Sequence, residues 1–214
     1  MHWILDFDDT LALGPNTWAF QEVLPNLIKS HNLPFDAALY EEVMLTAQRR
    51  ANEDEDEEML LNYVFSSLNW DDSLKSQLIH RIYNEYQPAL FPDTLAFLQT
   101  LQAHDQHVYL ISNNNHADQL LKMLGIADVF TAVLSPKAHA AKAKPHRDLF
   151  DVLQAQHDLS GEIVMVGDDP WSDGRFADTC GIACWIVDRL GRFNSLHASY
   201  PYQWATTLAD IHVG

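Results

Sequence analysis

Short apolar runs alternate with segments of helical spacing along most of this chain. The runs have the length of buried strands and lie at 3–7, 107–111, 129–134, 162–166 and 184–187. The segments with helical spacing lie at 95–103, 115–124, 147–156 and 173–180. Parallel strands joined by crossover helices produce this alternation. The pattern therefore predicts an α/β fold with a doubly wound parallel sheet.

The pattern changes between residue 14 and about residue 90, where strand-like runs are missing and helical spacing takes over. Apolar stripes with helical spacing lie there at 20–28, 59–68 and 74–86, and a shorter helix is predicted at 40–49. Pro25 should kink or restart the first helix, because proline lacks a backbone N–H and clashes with the preceding turn. The sequence predicts a small all-helical domain at 15–89, inserted into an α/β domain made of 1–14 and 90–214.

Polar side chains stand at the carboxyl end of three of the apolar runs. Asp6 and Asp8 follow the first run, Ser-Asn-Asn at 112–114 follows the second, and Gly-Asp-Asp at 167–169 follows the fourth. Lys144 precedes a proline and a further helical pattern. Aspartates are common in turns after strands, so the first pair alone does not establish a site. Four such groups in this order are a much more specific signal.

Together these segments resemble the four motifs of the haloacid dehalogenase-like (HAD-like) hydrolase superfamily, in its phosphatase branch. The matching residues are Asp6 to Thr10 for motif one, Ser112 with Asn113 for motif two, Lys144-Pro145 for motif three, and Gly167-Asp168 with Asp173 for motif four. The helical insertion after motif one resembles the α-helical cap of this superfamily. The resemblance implies a Rossmann-like sheet whose central first strand lies between the strands of motifs two and four. Ligands bind outside the carboxyl ends of such strands.

The resemblance also implies a covalent mechanism. Asp6 would attack phosphorus to give an aspartyl-phosphate, and Asp8 would protonate the leaving oxygen and later deprotonate the attacking water. The dehalogenases of the superfamily lack an acid at the position of Asp8. Its presence here favours a phosphate substrate.

A phosphoryl dianion that approaches a carboxylate must be neutralised, since two like unit charges about 4 Å apart repel by about 4 kcal/mol at an effective dielectric of about 20. A hard divalent ion such as Mg2+ provides this neutralisation. The ligands implied by the resemblance are a carboxylate oxygen of Asp6, the backbone carbonyl of Asp8 and the carboxylate of Asp168. Asp173 would either touch the metal through water or hold the lysine, and the second role is preferred.

Phosphate oxygens would be bound by the Ser112 hydroxyl, by Lys144 and by the backbone amides of Asp9 and Asn113. Thr10 is expected to brace the motif-one loop. Two neighbouring lysines, at 137 and 142, compete with Lys144 for its role, and the proline after Lys144 favours Lys144.

Composition limits the classes of partner. Thirty acidic against 13 basic residues give a net charge of −17, which disfavours nucleic acid because its phosphates require a basic surface. Because apolar runs approaching 18 residues and a basic leader are both missing, we expect a cytoplasmic protein with no membrane segment. The two cysteines are expected to be packed thiols in a reducing compartment. Six successive acids at 53–58 predict a solvated helix start or loop.

Three functions are compatible with the sequence. The first is a Mg2+-dependent phosphatase that acts on a small phosphorylated metabolite. The second is a phosphotransferase or phosphomutase on the same scaffold. The third is a non-catalytic regulatory protein that uses the acidic pocket as a phospho-acceptor or metal switch. The identity of the metabolite and the oligomeric state are left open.

Overall fold

The computed structural model describes residues 1–54 and 57–213, so part of the acidic run at 53–58 lies outside the described residues. The chain divides into two compact units. Met1–Leu13 and Pro88–Gly214 form one, which we call the sheet unit, and Gly14–Gln87 forms the other, which we call the helical unit. These bounds lie within two residues of the domain limits predicted from the sequence. Within the described part of the chain, every helix is too short or too polar to cross a membrane.

The sheet unit is built on a parallel sheet with the order β3-β2-β1-β4-β5-β6. The strands are β1 (His2–Leu5), β2 (His107–Ile111), β3 (Ala132–Leu134), β4 (Ile163–Gly167), β5 (Ala183–Val187) and β6 (Gln203–Ala205). The first strand lies between the strands that precede motifs two and four. The predicted fold class is therefore confirmed.

The predicted helices are present, with ends shifted by up to about five residues, and two short helices, Pro15–Trp18 and Pro136–His139, were not predicted. In the helical unit they are α1 (Pro15–Trp18), α2 (Leu24–Ser30), α3 (Ala37–Asp54), α4 (Glu57–Ser67) and α5 (Asp72–Glu85). In the sheet unit they are α6 (Thr94–Ala103), α7 (Ala117–Met123), α8 (Pro136–His139), α9 (Asp148–Gln156) and α10 (Arg175–Cys180). A π-helical turn, Ala19–Val23, precedes α2, so the first helix restarts just before Pro25.

Successive residues of the central strand enter two different cores. Trp3 and Leu5 pack with α6 and α7 on one face of the sheet, whereas Ile4 packs with α9 and α10 on the other. Because both faces are covered, the strand has no polar side, which explains why its sequence is a continuous apolar run. Covering both faces leaves the carboxyl ends of the strands as the place where polar side chains can gather.

Two strands differ from the sequence prediction. The run at 129–134 yields only the short β3, because its first part belongs to a 3-10 turn, Ala127–Val129, and Phe130 fills the core. The sixth strand, β6, was not predicted, because three residues with one exposed side chain give no apolar run.

Cys180 and Cys184 are free thiols, and burial raises the pKa of Cys180 to about 12.

Candidate active site

Asp6 begins the loop that leaves the central strand. Its backbone N–H donates to the Val166 carbonyl of β4 at 2.9 Å, and its side chain is buried. The loop then closes on itself, since the N–H groups of Leu11 and Ala12 both donate to the Phe7 carbonyl. The result is a rigid turn that holds a carboxylate at the end of β1.

Asp9 stands at the turn of this loop with a positive φ of 58°. Its backbone N–H donates to the Ala12 carbonyl at 2.6 Å. The amide is therefore engaged within the loop in this structure, and its role in binding phosphate stays a prediction. Thr10 is fully buried in the same loop, as expected of a residue that braces it.

Lys144 connects two of the acidic side chains. Its Nζ donates to Oδ1 of Asp6 and to Oδ1 of Asp173, each at 2.6 Å, and the lysine is only 4% exposed. The competing lysines at 137 and 142 are exposed. Asn113 holds the backbone of Lys144 with two hydrogen bonds, donating to its carbonyl at 3.1 Å and accepting from its N–H at 2.8 Å.

Asp173 has both carboxylate oxygens engaged. Oδ1 accepts from Lys144, and Oδ2 accepts from the N–H groups of Asp168 and Asp169 at 3.0 and 3.1 Å. This side chain fits closely against Gly167, where an added Cβ would lie 2.1 Å from the Cγ of Asp173. The close approach explains why the strand ends in glycine. Asp173 therefore joins the motif-four loop to the lysine, which matches the preferred alternative for it.

Asp169 shapes the turn that follows the fourth strand. Its Oδ1 accepts from the N–H groups of Trp171 and Ser172, at 2.7 and 3.3 Å. This caps the π-helical turn Pro170–Gly174, which stands where the sequence predicted the start of the following helix.

Asp168 pairs with Arg192, which was not predicted as a site residue. Arg192 donates from Nη2 to Oδ2 of Asp168 at 2.6 Å. The arginine stands on the loop after β5, and the buried Asp188 holds that loop by accepting from the N–H groups of Arg192 and Phe193. A sequence signal existed, because Asp188 and Arg192 follow an apolar run like the other site residues do.

Asp8 contacts the loop that follows the second strand. Its Oδ2 accepts from Nδ2 of Asn114 at 2.9 Å. In that loop Ser112 is buried, and its Oγ accepts from the N–H of Asn114 at 3.1 Å. Asn114, like Arg192, was not selected as a site residue from the sequence. The contact brings the residues of motifs one and two together at the sheet edge.

Burial of several like charges perturbs their ionisation. Desolvation raises the pKa of Asp6 to about 7, opposed by Lys144 and reinforced by Asp173. Desolvation likewise raises the pKa of Asp168 well above its ordinary value, although Arg192 opposes this rise. For Lys144, burial disfavours the charged form, but the charges of Asp173 and Asp6 outweigh it and raise the lysine pKa. The site thus concentrates acidic groups that require a positive counter-charge.

The donor set fits a hard divalent cation. Asp6, Asp168 and Asp173 are all buried, and each offers a carboxylate oxygen within 4.8 Å of the others. Oxygen ligands with negative charge are those that Mg2+ and Ca2+ prefer. Since Asp173 also holds Lys144, Asp6 and Asp168 are the two carboxylates best suited to hold the ion directly.

Solved structures share this fold. A HAD family hydrolase from Deinococcus radiodurans, solved with phosphate and sodium, superposes with a TM-score of 0.74 at 17% identity, covering 98% of this chain and 92% of that one. The magnesium-bound HAD-hydrolase YfnB from Bacillus subtilis gives a TM-score of 0.69 at 18% identity, covering 98% and 95% of the two chains. These identities show a common fold and no more.

The sequence itself is similar to that of a named enzyme. Beta-phosphoglucomutase from Bacillus subtilis is 26% identical over 137 residues, which are 60% of this chain and 58% of that enzyme. The family model described as haloacid dehalogenase-like hydrolase matches residues 2–181. That match includes every residue of the four motifs and most of the chain. The chain therefore belongs to the haloacid dehalogenase-like hydrolases.

Proposed function

We propose that this protein is a Mg2+-dependent phosphatase that hydrolyses a small-molecule phosphomonoester through an aspartyl-phosphate on Asp6. The observation that supports this most is the placement of Asp6, which is held by Lys144 at the end of the central strand with Asp8 two residues further on. This arrangement provides a nucleophile, a cation and an acid at one edge of the sheet.

In the first half of the proposed reaction, a carboxylate oxygen of Asp6 forms a bond to phosphorus while the bond to the leaving oxygen breaks. Asp8 gives its proton to that oxygen, so the product leaves as a neutral alcohol. Lys144 remains charged throughout, because both of its carboxylate partners favour the ammonium form. Its charge offsets the repulsion between the phosphoryl group and Asp6.

In the second half, a water molecule attacks the phosphorus of the aspartyl-phosphate, and Asp8 accepts the proton of that water. The bond between phosphorus and the Asp6 oxygen breaks, which releases inorganic phosphate and restores the carboxylate. Splitting one difficult displacement into two easier ones is the general advantage of covalent catalysis.

The residues that would bind Mg2+ and the phosphoryl oxygens also belong to the sheet unit. Asp6, Asp168 and the backbone carbonyl of Asp8 would hold Mg2+, which when bound neutralises the charge that develops on the phosphoryl oxygens. The Ser112 hydroxyl and the backbone amide of Asn113 would bind those oxygens. The side chain of Asn113 acts indirectly, since it holds the backbone of Lys144.

We further propose that the helical unit is the α-helical cap of the superfamily and that the substrate is a small phosphorylated metabolite. Among the solved neighbours is a predicted phosphoglycolate phosphatase from Haemophilus somnus, with a TM-score of 0.65 and 20% identity over 98% of this chain and 95% of that one. Phosphoglycolate is therefore a sensible first substrate to assay.

The test is phosphate release from a panel of phosphomonoesters, measured with MgCl2 and with EDTA. We expect turnover that requires Mg2+ and is lost in Asp168→Ala. A matched control is Asp151→Ala, which removes an exposed carboxylate of α9 that pairs with Arg147. Turnover by the parent that persists in EDTA would contradict the proposal. Turnover by Asp168→Ala with the same dependence on Mg2+ as the parent would also contradict it.

A second function is favoured by one observation, the similarity to beta-phosphoglucomutase. A phosphomutase would transfer the phosphoryl group from Asp6 to a sugar hydroxyl instead of water. Incubation with β-D-glucose 1-phosphate and analysis of the products separates the two functions. We expect inorganic phosphate to form, whereas glucose 6-phosphate as the main product would favour the mutase.

A further inference from the structure

The orientation of the Asn114 amide is determined by its two partners. Its Oδ1 accepts from the backbone N–H of His116 at 2.9 Å, and its Nδ2 donates to Oδ2 of Asp8 at 2.9 Å. If the amide were reversed, an NH2 group would face the His116 N–H and an oxygen would face the Asp8 carboxylate. Both contacts would then be repulsive, so only one orientation satisfies both partners.

This orientation affects which oxygen of Asp8 carries a proton. The carbonyl oxygen of a carboxylic acid accepts a hydrogen bond better than its hydroxyl oxygen does. The NH2 group of Asn114 therefore favours Oδ2 as the carbonyl oxygen of protonated Asp8 and Oδ1 as the oxygen that carries the proton. The backbone N–H of Asn114 donates to the buried Ser112 Oγ, so the residue that holds Asp8 is itself anchored.

We propose that Asn114 is a positioning residue that fixes the Asp8 carboxyl group and directs its proton from Oδ1 to the leaving oxygen. The inference rests on the proposed phosphatase function, because it assigns a partner to the acid of that reaction. Asn114 has no contact with the phosphoryl group in this account. Its effect reaches the reaction only through Asp8.

The proposal predicts a dependence on the leaving group. A 4-nitrophenolate ion leaves readily without a proton, whereas an unsubstituted phenolate gains more from protonation. Loss of the Asn114 donor should therefore slow the hydrolysis of phenyl phosphate more than that of 4-nitrophenyl phosphate. A residue that merely shapes the loop would slow both substrates alike.

The decisive variant is Asn114→Asp. Aspartate keeps an oxygen that can accept from the His116 N–H, so the turn is retained, but it replaces the donor to Asp8 with a second oxygen. The matched control is Asn115→Asp, because the Oδ1 of Asn115 accepts from the N–H of Lys137 at 2.8 Å and the introduced charge is the same. Asn114→Ser, whose hydroxyl can also accept from His116, serves if the aspartate variant does not fold.

The measurement is kcat/KM for phenyl phosphate and 4-nitrophenyl phosphate at saturating Mg2+, because kcat/KM reports the step in which the leaving group departs. We expect Asn114→Asp to lower the value for phenyl phosphate about 10-fold more than that for 4-nitrophenyl phosphate. Asn115→Asp should keep the ratio of the parent.

Asp8→Asn separates the failure of this inference from the failure of the proposed function. If Asp8→Asn changes the ratio of the two substrates and Asn114→Asp does not, the positioning role is wrong while the acid role of Asp8 stands. If Asp8→Asn leaves the ratio unchanged, the acid assignment fails, and the inference about Asn114 fails with it.

Discussion

The two units of this protein differ in what they bury. In the described part of the chain, the buried polar and charged side chains all belong to the sheet unit, and among them are Asp6, Lys144, Asp168 and Asp173. The helical unit has a core of apolar side chains, and its ion pairs, such as Arg81 with Glu85, are exposed.

Burying a charge is costly unless it is paired and hydrogen-bonded. The helical unit has an apolar core, which carries no such cost. Stability alone therefore does not require buried charges in the sheet unit. The proposed phosphatase chemistry gives a reason for these buried charges. The comparison predicts that substitutions of charged residues should affect turnover in the sheet unit and have little effect in the helical unit.

The largest effect is expected from Asp6→Asn. The amide has nearly the same shape as the carboxylate but is a very poor nucleophile, so turnover should fall by at least about a thousand-fold. The circular dichroism spectrum should match that of the parent. If Asp6→Asn hydrolysed phosphate esters at a rate comparable to that of the parent, Asp6 would not be the nucleophile.

A smaller effect is expected from Arg192→Ala. Arg192 holds one oxygen of Asp168 and favours its ionised form, so its loss should weaken Mg2+ binding by about 10-fold, as is common for groups that orient metal ligands. Isothermal titration with MgCl2 in the absence of substrate measures this directly. The control is Arg147→Ala, which breaks an exposed pair with Asp151. Equal or tighter Mg2+ binding by Arg192→Ala would show that the ion pair of Arg192 with Asp168 does not stabilise the metal site.

The third effect concerns stability without metal. The pKa of Asp6 rises from 3.8 to about 7 on folding, so between these values the folded protein binds a proton that the unfolded chain has released. The contribution of Asp6 to the free energy of unfolding should therefore decrease as pH rises through this window, by at most about 1.4 kcal/mol per pH unit.

Urea unfolding in EDTA at several pH values, compared between the parent and Asp6→Asn, isolates this contribution. The stability of the parent relative to Asp6→Asn should decrease from about pH 4 to about pH 7. A constant difference would mean that Asp6 is ionised equally in both states and is not perturbed by burial.

The smallest effect is expected in the helical unit. Arg81→Ala breaks the exposed pair with Glu85 on α5, and such solvent-screened pairs contribute little to stability. The free energy of unfolding should be close to that of the parent, and kcat should equal that of the parent. A large loss of activity would contradict the separation of roles between the two units.

The sequence predicted those parts of the site that follow apolar runs. Asp6 and Asp168 were identifiable because a buried strand is continuously apolar and its end is marked by acids. Lys144 was identifiable from the proline beside it, and the structure places it, and not its two neighbours, against the carboxylates.

Other features depend on geometry that the sequence does not encode locally. The Asn114 contact depends on how one amide is turned. Arg192 follows an apolar run, but its contact with Asp168 depends on the shape that Asp188 gives to the loop after the neighbouring strand β5. The positive φ of Asp9 and the hydrogen bond of its amide to Ala12 are likewise properties of the closed loop that the sequence does not show. The strand β6 was missed because it gains its stability from pairing with β5 and not from its own residues.

The central claim is that Asp6 receives the phosphoryl group. The most direct test is to mix the protein with substrate and Mg2+, quench with acid during turnover and analyse the N-terminal peptide by mass spectrometry. We expect a phosphoryl group on Asp6 that hydroxylamine removes and that is missing in Asp6→Asn. Rapid turnover with no phosphoryl group on that peptide at any quench time would contradict it.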